Sequence, residues 1–167
     1  MDTRLCGIDS STSNTGLSLF VNGKLVGYKL ISLDKKDTTQ WDRLNPMLKQ
    51  IGEVLSEWKP NIIYQEQSWK GRNIDTLKCL TNIMGGVRFW ALMNNCEYYV
   101  LLPSQWRARL GLNKYEAERP ELKNAAMQFV KDKYDIDVPT DDISDCICLG
   151  LAGLSFYGFD EEKENDC

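Results

Sequence analysis

The sequence predicts a single α/β domain in which helices flank a mixed five-stranded sheet, built from an antiparallel meander and two parallel strands. The chain of 167 residues is 43% hydrophobic, which is enough for one full core and too little for two sizeable domains. Short β-type runs open the chain, and runs with helical spacing then alternate with compact apolar runs. We therefore expect one domain over residues 1–158 and an acidic, disordered tail over 159–167.

The first part of the chain predicts the meander. Three β-type segments cover residues 5–9, 16–21 and 25–31. The pair Asn22-Gly23 lies between the second and third segments and is typical of a two-residue hairpin turn, because both residues tolerate positive φ.

The remainder predicts helices that alternate with two further strands. Apolar residues recur at steps of three and four from Trp41 to Trp58, which indicates a helix that Pro46 should kink or whose start it should shift. Strands are expected over 61–65 and 96–102, and helices over 74–94, 105–110, 120–134 and 143–156. Thr140 is the expected N-cap of the last helix, and the connection 111–118 is a candidate mobile loop.

Composition excludes several classes of protein. Because the chain has no histidine, Ser-His-Asp and Cys-His catalysis are excluded, and hydrolysis would need carboxylates, lysines, hydroxyls or a metal. No apolar run approaches the roughly 20 residues of a membrane span, and the N-terminus lacks a signal-peptide pattern, so we expect a cytoplasmic protein without a membrane partner. The six cysteines form no C-x-x-C pair and are expected to be buried and reduced.

The charge distribution permits a nucleic-acid partner despite the net charge of −4. Between Trp69 and Lys133 there are eleven Lys and Arg residues against six Asp and Glu residues, so the rest of the chain is strongly acidic. A basic middle on an acidic chain suits a DNA-cleaving domain whose metal ligands are carboxylates. An unevenly charged solvated surface explains the same feature equally well.

Carboxylates lie at the ends of two predicted strands and at the start of the last predicted helix. Asp9 ends the first strand, Glu66 ends the fourth, and Asp142 and Asp145 share a face at the start of the last helix. If these places meet, the cluster suits two Mg²⁺ ions for phosphodiester hydrolysis, since Mg²⁺ prefers hard oxygen ligands. Each acid also has an ordinary structural explanation when it is taken alone. Asp9 could form an Asx turn and Glu66 could simply end a strand, while acids at the start of a helix interact favourably with the positive end of its dipole.

The order and spacing of these residues resemble the RuvC-type Holliday-junction resolvases, most closely their phage-encoded branch, over nearly the whole domain. The first family motif stands as Gly7-Ile8-Asp9 with Thr15-Gly16, the second as Glu66-Gln67, and the closing D-x-x-D as Asp142 to Asp145. Two departures are Ser10-Ser11, where bacterial members usually have Pro-Gly, and an additional acid, Asp141. The latter leaves open whether Asp141 or Asp142 is the ligand.

The resemblance implies an RNase H-like fold, a homodimer, and Mg²⁺ dependence with Mn²⁺ as a substitute, two ions per active site. It further implies paired nicks placed symmetrically across a four-way DNA junction, inside a phage-infected host cell if the gene belongs to a phage. The helical stripe Leu77, Leu80, Met84 and Val87 is the expected dimer surface, although such a stripe is as readily internal core.

Further positions resemble DNA-contacting residues of the family. Lys123 corresponds to a basic residue near the scissile phosphate and is a candidate catalytic group. The other candidate DNA contacts are Trp69, Lys70, Arg72, Asn73, Arg107 and Arg109. For the basic residues the alternative is ordinary solvated charge, and for Trp69 it is a half-buried core aromatic.

Two other functions remain open from the sequence. A sugar-kinase or actin-like ATPase fragment would also begin with a strand, an Asp and a small-residue turn, although that fold needs two such halves. A catalytically inactive junction-binding protein would keep the fold without the chemistry. The preferred branched substrate, whether a four-way junction, a fork or a flap, is also open.

Overall fold

The structure is a computed structural model that describes residues 2–68, 73–113 and 119–159. Its strands are β1 (Arg4–Ser10), β2 (Asn14–Val21), β3 (Lys24–Ser32), β4 (Ile62–Glu66) and β5 (Glu97–Leu101). Its helices are α1 (Gln40–Trp58), α2 (Ile74–Met93), α3 (Pro103–Arg109), α4 (Arg119–Tyr134) and α5 (Asp141–Tyr157). These ranges match the predicted elements to within a few residues. The connection 114–118, the residues 69–72 and the tail from 160 lie outside the described residues.

The five strands form one mixed sheet in the order β3-β2-β1-β4-β5. β1 pairs antiparallel with β2 and parallel with β4, and β4 pairs parallel with β5. The β2–β3 hairpin turns at Asn22 and Gly23, which have φ values of 49° and 82° as this two-residue turn requires. The predicted meander with two parallel strands is confirmed.

Helices cover both faces of the sheet, and each face has its own apolar core. The first core packs Leu5 of β1 and Tyr64 of β4 against α3, α4 and α5, with Trp106 fully buried in it. The second packs Cys6 and Ile63, the neighbours in each strand, against α1 and α2. Successive side chains of a strand point to opposite faces, so the two cores follow from the alternation along β1 and β4.

The start of α1 differs from the sequence-based expectation, whereas α5 starts after the predicted N-cap residue. α1 begins at Gln40, after a capping box between Thr39 and Asp42, and continues through Pro46, so the proline does not shift its start. Thr140 occupies the N-cap position of α5, but its hydroxyl makes no capping hydrogen bond and is buried without a partner.

Five of the six cysteines are described, and all five are buried and free, as expected for reduced thiols. They are Cys6, Cys79, Cys96, Cys146 and Cys148. Within the described ranges, no helix is both long enough and apolar enough to cross a bilayer.

Candidate active site

Asp9 and Glu66 lie at the carboxyl ends of adjacent parallel strands. Ile8 of β1 pairs with Gln65 of β4, so each acid is the next residue of its strand. Counting alternately from the core residues Leu5 and Tyr64, both acids fall on the face covered by α5. Strand register alone therefore brings two carboxylates from distant parts of the sequence to one edge of the sheet.

Two glycines let α5 approach this edge directly. A Cβ atom on Gly7 would lie 2.5 Å from the carbonyl oxygen of Cys146, and one on Gly16 would overlap the carbonyl of Asp142. The hydroxyl of Ser18 also donates a hydrogen bond of 2.7 Å to the Cys146 carbonyl. Backbone-to-backbone packing thus places the first turn of α5, with its three acids, beside the ends of β1 and β2.

Burial and four neighbouring acids raise the pKa of Asp9. Burial raises the pKa of the Asp9 carboxyl well above its ordinary value, and nearby Glu66, Asp145, Asp142 and Asp141 raise it further. The four acids thus surround Asp9 closely enough to oppose its ionisation. Such a cluster favours binding of protons or of a cation.

Asp145 is the most buried acid of the α5 turn, with 7% of its surface exposed. Burial and the charge of Glu66 raise its pKa to about 7, against the opposing effect of the Arg107 guanidinium. Arg107 Nη2 lies 3.8 Å from Asp145 Oδ2, while Asp145 Oδ1 is buried without a hydrogen-bond partner. A buried carboxylate oxygen without a partner costs stability, and a metal ion would satisfy it.

The two neighbouring acids at the start of α5 have different partners. Asp141 forms an ion pair with Lys123 of α4. Asp142 accepts a hydrogen bond from the Asn14 side chain, and its pKa is raised by burial and by Asp141 and lowered by Lys123. Lys123 therefore lies beside the acids at the start of α5, but it contacts the acid that lies outside the D-x-x-D pair.

Glu66 is held from the α3 side by a residue that the sequence analysis did not select. The indole Nε1 of Trp106 donates a hydrogen bond of 2.7 Å to Glu66 Oε2. The next residue, Arg107, places its guanidinium over the Trp106 ring, 4.4 Å from the centroid. Consecutive residues of α3 thus contact two different acids, Glu66 and Asp145.

The carboxylates interact without forming a finished coordination shell. In the part of the chain that the structure describes, no three acidic or thiol side chains converge closely enough to hold one ion as they stand. Several of their oxygens instead meet Trp106, Arg107, Lys123 and Asn14. The possible metal donors are all hard carboxylate oxygens, and one of them, Asp145 Oδ1, has no hydrogen-bond partner. This donor set fits Mg²⁺ or Mn²⁺.

Of the other predicted DNA contacts, the structure describes Arg109 and Asn73. Arg109 donates hydrogen bonds to Ser155 Oγ (2.8 Å) and to the Ser155 carbonyl (3.3 Å). Since Ser155 is ten residues beyond Asp145, Arg109 sits about 15 Å along α5 from the acids. Asn73 caps α2, and its side-chain oxygen accepts from the backbone N–H groups of residues 75 and 76. Trp69, Lys70 and Arg72 fall outside the described residues.

Two polar residues support the turn between β1 and β2. Arg43 of α1 is buried, with 8% exposed, and donates from Nε to the carbonyl of Thr12 at 3.0 Å. Gln65 donates to Ser10 Oγ at 2.6 Å and accepts from the Tyr98 hydroxyl at 2.9 Å. No pattern in the sequence marks either contact, because each joins elements that are more than 30 residues apart.

Curated relatives match nearly the whole chain. The crossover junction endodeoxyribonuclease RuvC of Synechocystis is 27% identical over 158 residues, which cover 91% of this chain and 91% of the relative. RuvC of Brachyspira hyodysenteriae is 24% identical over 153 residues, which cover 89% of this chain and 92% of the relative. No family model matches the chain.

Solved structures give the same fold. Thermus thermophilus RuvC, in a complex with a Holliday junction substrate, superposes with a TM-score of 0.70 at 16% identity and covers 93% of this chain and 96% of its own. The predicted RNase H-like fold is thereby confirmed. This chain has the RuvC fold and is similar in sequence to bacterial RuvC endodeoxyribonucleases over nine-tenths of its length.

Proposed function

We propose that this protein is a metal-dependent endodeoxyribonuclease that resolves Holliday junctions or related branched DNA. The observation that carries the proposal is that strand register and the close packing of α5 bring acids from three separated segments to the carboxyl ends of β1 and β4. The raised pKa of Asp9 agrees with this proximity. The relatives named crossover junction endodeoxyribonuclease, and the similar fold found on a Holliday junction, supply the substrate class.

Asp9, Glu66, Asp142 and Asp145 are the residues that would hold two Mg²⁺ or Mn²⁺ ions. When bound, the ions would supply Lewis-acid activation of the scissile phosphate and of the attacking water. Asp142 is the better ligand of the neighbouring pair, because Asp141 is engaged with Lys123. Asp141 then orients the Lys123 ammonium, which stabilises the negative charge that grows on the phosphate in the transition state.

The proposed assembly is a homodimer, because two opposed strands are cut symmetrically only by two sites related by a two-fold axis. The predicted stripe needs a correction at Val87, which is 1% exposed and belongs to the core against α1. Leu77, Leu80 and Met84 are half-buried. The apolar side chains that α2 exposes are Ile74, Phe89, Leu92 and Met93, at 64%, 64%, 71% and 65%.

A finer assignment concerns the origin of the chain. Ser10-Ser11 in the first motif, where bacterial members usually carry Pro-Gly, favours the phage-encoded branch and action on DNA inside an infected cell. The relatives described above are bacterial and leave this assignment as a proposal.

The deciding experiment incubates the protein with a synthetic, end-labelled four-way junction. We expect paired nicks near the branch point with Mg²⁺ or Mn²⁺, none with EDTA, and none on a linear duplex of the same sequence. Fork and flap substrates measured in parallel rank the branched structures. Tight junction binding without product at any metal concentration would favour the inactive junction-binding protein, and absence of both would overturn the proposal.

A further inference from the structure

Trp106 combines complete burial with a direct hydrogen bond to an acid of the site. Its ring belongs to the core under α4 and α5 and has no exposed surface. A buried indole N–H needs an acceptor, because an unsatisfied buried donor is costly. The acceptor here is Glu66 Oε2, at 2.7 Å. The core that fixes the ring therefore also fixes this carboxylate oxygen.

The path of the chain makes the contact rigid. Glu66 pairs with Leu101 in the β4–β5 ladder, and the N–H of Gln67 donates to the Leu101 carbonyl at 2.9 Å. α3 begins only two residues later, at Pro103, and Gln105 Oε1 accepts from the Leu102 N–H at 2.8 Å. The connection from β5 to α3 is thus short and hydrogen-bonded, and β5 pairs directly with the strand that carries Glu66. This arrangement restrains the position of the Trp106 indole relative to the Glu66 carboxylate.

We infer that Trp106 is a positioning residue for Glu66. Its indole N–H fixes the orientation of the Glu66 carboxylate toward the metal. The inference rests on the proposed function and extends it to a residue outside the acid motifs. Residues that hydrogen-bond a metal ligand orient it, and their loss typically lowers metal affinity or activity by about 10- to 100-fold. The Arg107 guanidinium stacks on the Trp106 ring, so the same indole also supports the guanidinium beside Asp145.

The test compares Trp106→Phe with Trp90→Phe. Both changes remove an indole N–H and keep an aromatic ring, but Trp90 donates to Ser56 Oγ at 3.3 Å, on the α1–α2 side. Mn²⁺ binding to the DNA-free protein is measured by the loss of the free-ion electron paramagnetic resonance signal. We expect about 10-fold weaker Mn²⁺ binding for Trp106→Phe. Trp90→Phe and the parent should bind equally.

A measurement on the unaltered protein covers the case in which Trp106→Phe does not fold. The five tryptophans give five indole N–H resonances in a ¹⁵N-labelled sample, and Phe substitution at the other four positions identifies that of Trp106. Mg²⁺ should shift the Trp106 resonance more than that of Trp90.

The outcomes separate this inference from the proposed function. A parent that binds Mn²⁺ and nicks a junction, together with equal affinities for the two Phe variants or an unmoved Trp106 resonance, overturns the inference alone. A parent that neither binds Mn²⁺ nor nicks overturns both.

Discussion

The two helical layers cover the same sheet but differ in what they bring to it. The layer of α3, α4 and α5 brings charged side chains together, with Asp145, Arg107 and Lys123 directed at the ends of β1 and β4. The layer of α1 and α2 packs a mainly apolar core, in which the buried Arg43 binds carbonyl and hydroxyl oxygens, and α2 leaves large apolar side chains exposed on its outer side. This difference supports the proposal of a division of roles, in which one layer performs the chemistry and the other forms the dimer.

The sharpest test of this division removes the acids. Asp9→Asn, Glu66→Gln, Asp142→Asn and Asp145→Asn should each abolish detectable junction cleavage, because each removes a proposed metal ligand. Asp141→Asn is the matched comparison: it leaves all four proposed ligands in place, and loss of the ion pair with Lys123 should slow cleavage only mildly. Gel-shift assays in Ca²⁺ or EDTA should show junction binding and dimerisation unchanged in all five variants. Loss of binding together with cleavage in all four ligand variants would contradict the assignment.

Lys123→Ala should lower the cleavage rate by about 100-fold at saturating Mg²⁺ while junction binding changes much less, because a positioned cation acts on transition-state charge. Lys131→Ala is the control on the same helix, since Lys131 pairs with Asp135 and Asp137 away from the site. Single-turnover kinetics give the comparison. Equal rates for Lys123→Ala and Lys131→Ala would remove Lys123 from the catalytic groups.

The associating layer is tested by placing charge on the exposed side of α2. Phe89→Asp with Leu92→Asp should convert a dimer to monomers in sedimentation velocity and replace paired nicks by slow single nicks, because like charges would face each other across a two-fold axis. Val26→Asp introduces the same charge at an exposed apolar residue of β3 and should remain dimeric. A parent that is already monomeric while making paired nicks would contradict the division of roles.

A smaller effect should appear as pH-dependent stability in EDTA. The pKa of Asp145 rises from its ordinary 3.8 to about 7 on folding, and that of Asp9 also rises. Between these values the folded protein retains protons that the unfolded chain releases, so the free energy of unfolding falls as pH increases from about 4 to 7. A loss on the order of a few kcal/mol lowers Tm by roughly 5 to 10 °C.

Asp145→Asn should flatten that pH dependence, and Mg²⁺ should raise Tm more at pH 7 than at pH 4, because fewer protons then compete with the metal for the carboxylates. Calorimetry with and without metal measures both effects. A parent Tm that is constant from pH 4 to 7 without metal would show that burial does not perturb these carboxylates.

The sequence predicted the strands and the acids because both follow local rules. Alternation defines the faces of β1 and β4, and Asp9 and Glu66 end their strands. Trp106 was missed because α3 has only seven residues, fewer than two helical turns, so no periodicity shows which of its residues are buried. For the same reason Arg107 and Arg109 were grouped together, although the structure places them at different ends of α5.

The prediction for α2 was wrong at Val87 for another physical reason. The helix is apolar on more than one face, with Cys79, Ile83, Val87 and Ala91 buried and other large side chains exposed. Spacing alone therefore fits two stripes, and only packing against α1 decides between them. The sequence likewise could not predict the partners of Asp141 and Asp142, because they come from α4 and from the start of β2.

The docking of α5 on β1 and β2 also determines when the proposed active site can form during synthesis of the protein. Ser18 and Cys146 are 128 positions apart, and the glycine contacts under α5 span similar distances along the chain. When the ribosome has synthesised β1 to β5, the chain contains Asp9 and Glu66 but not yet Asp142 and Asp145 of α5. Non-local contacts form late in folding, so the nascent chain should complete the proposed active site only after α5 has emerged, and a chain truncated before Asp142 should not cleave DNA.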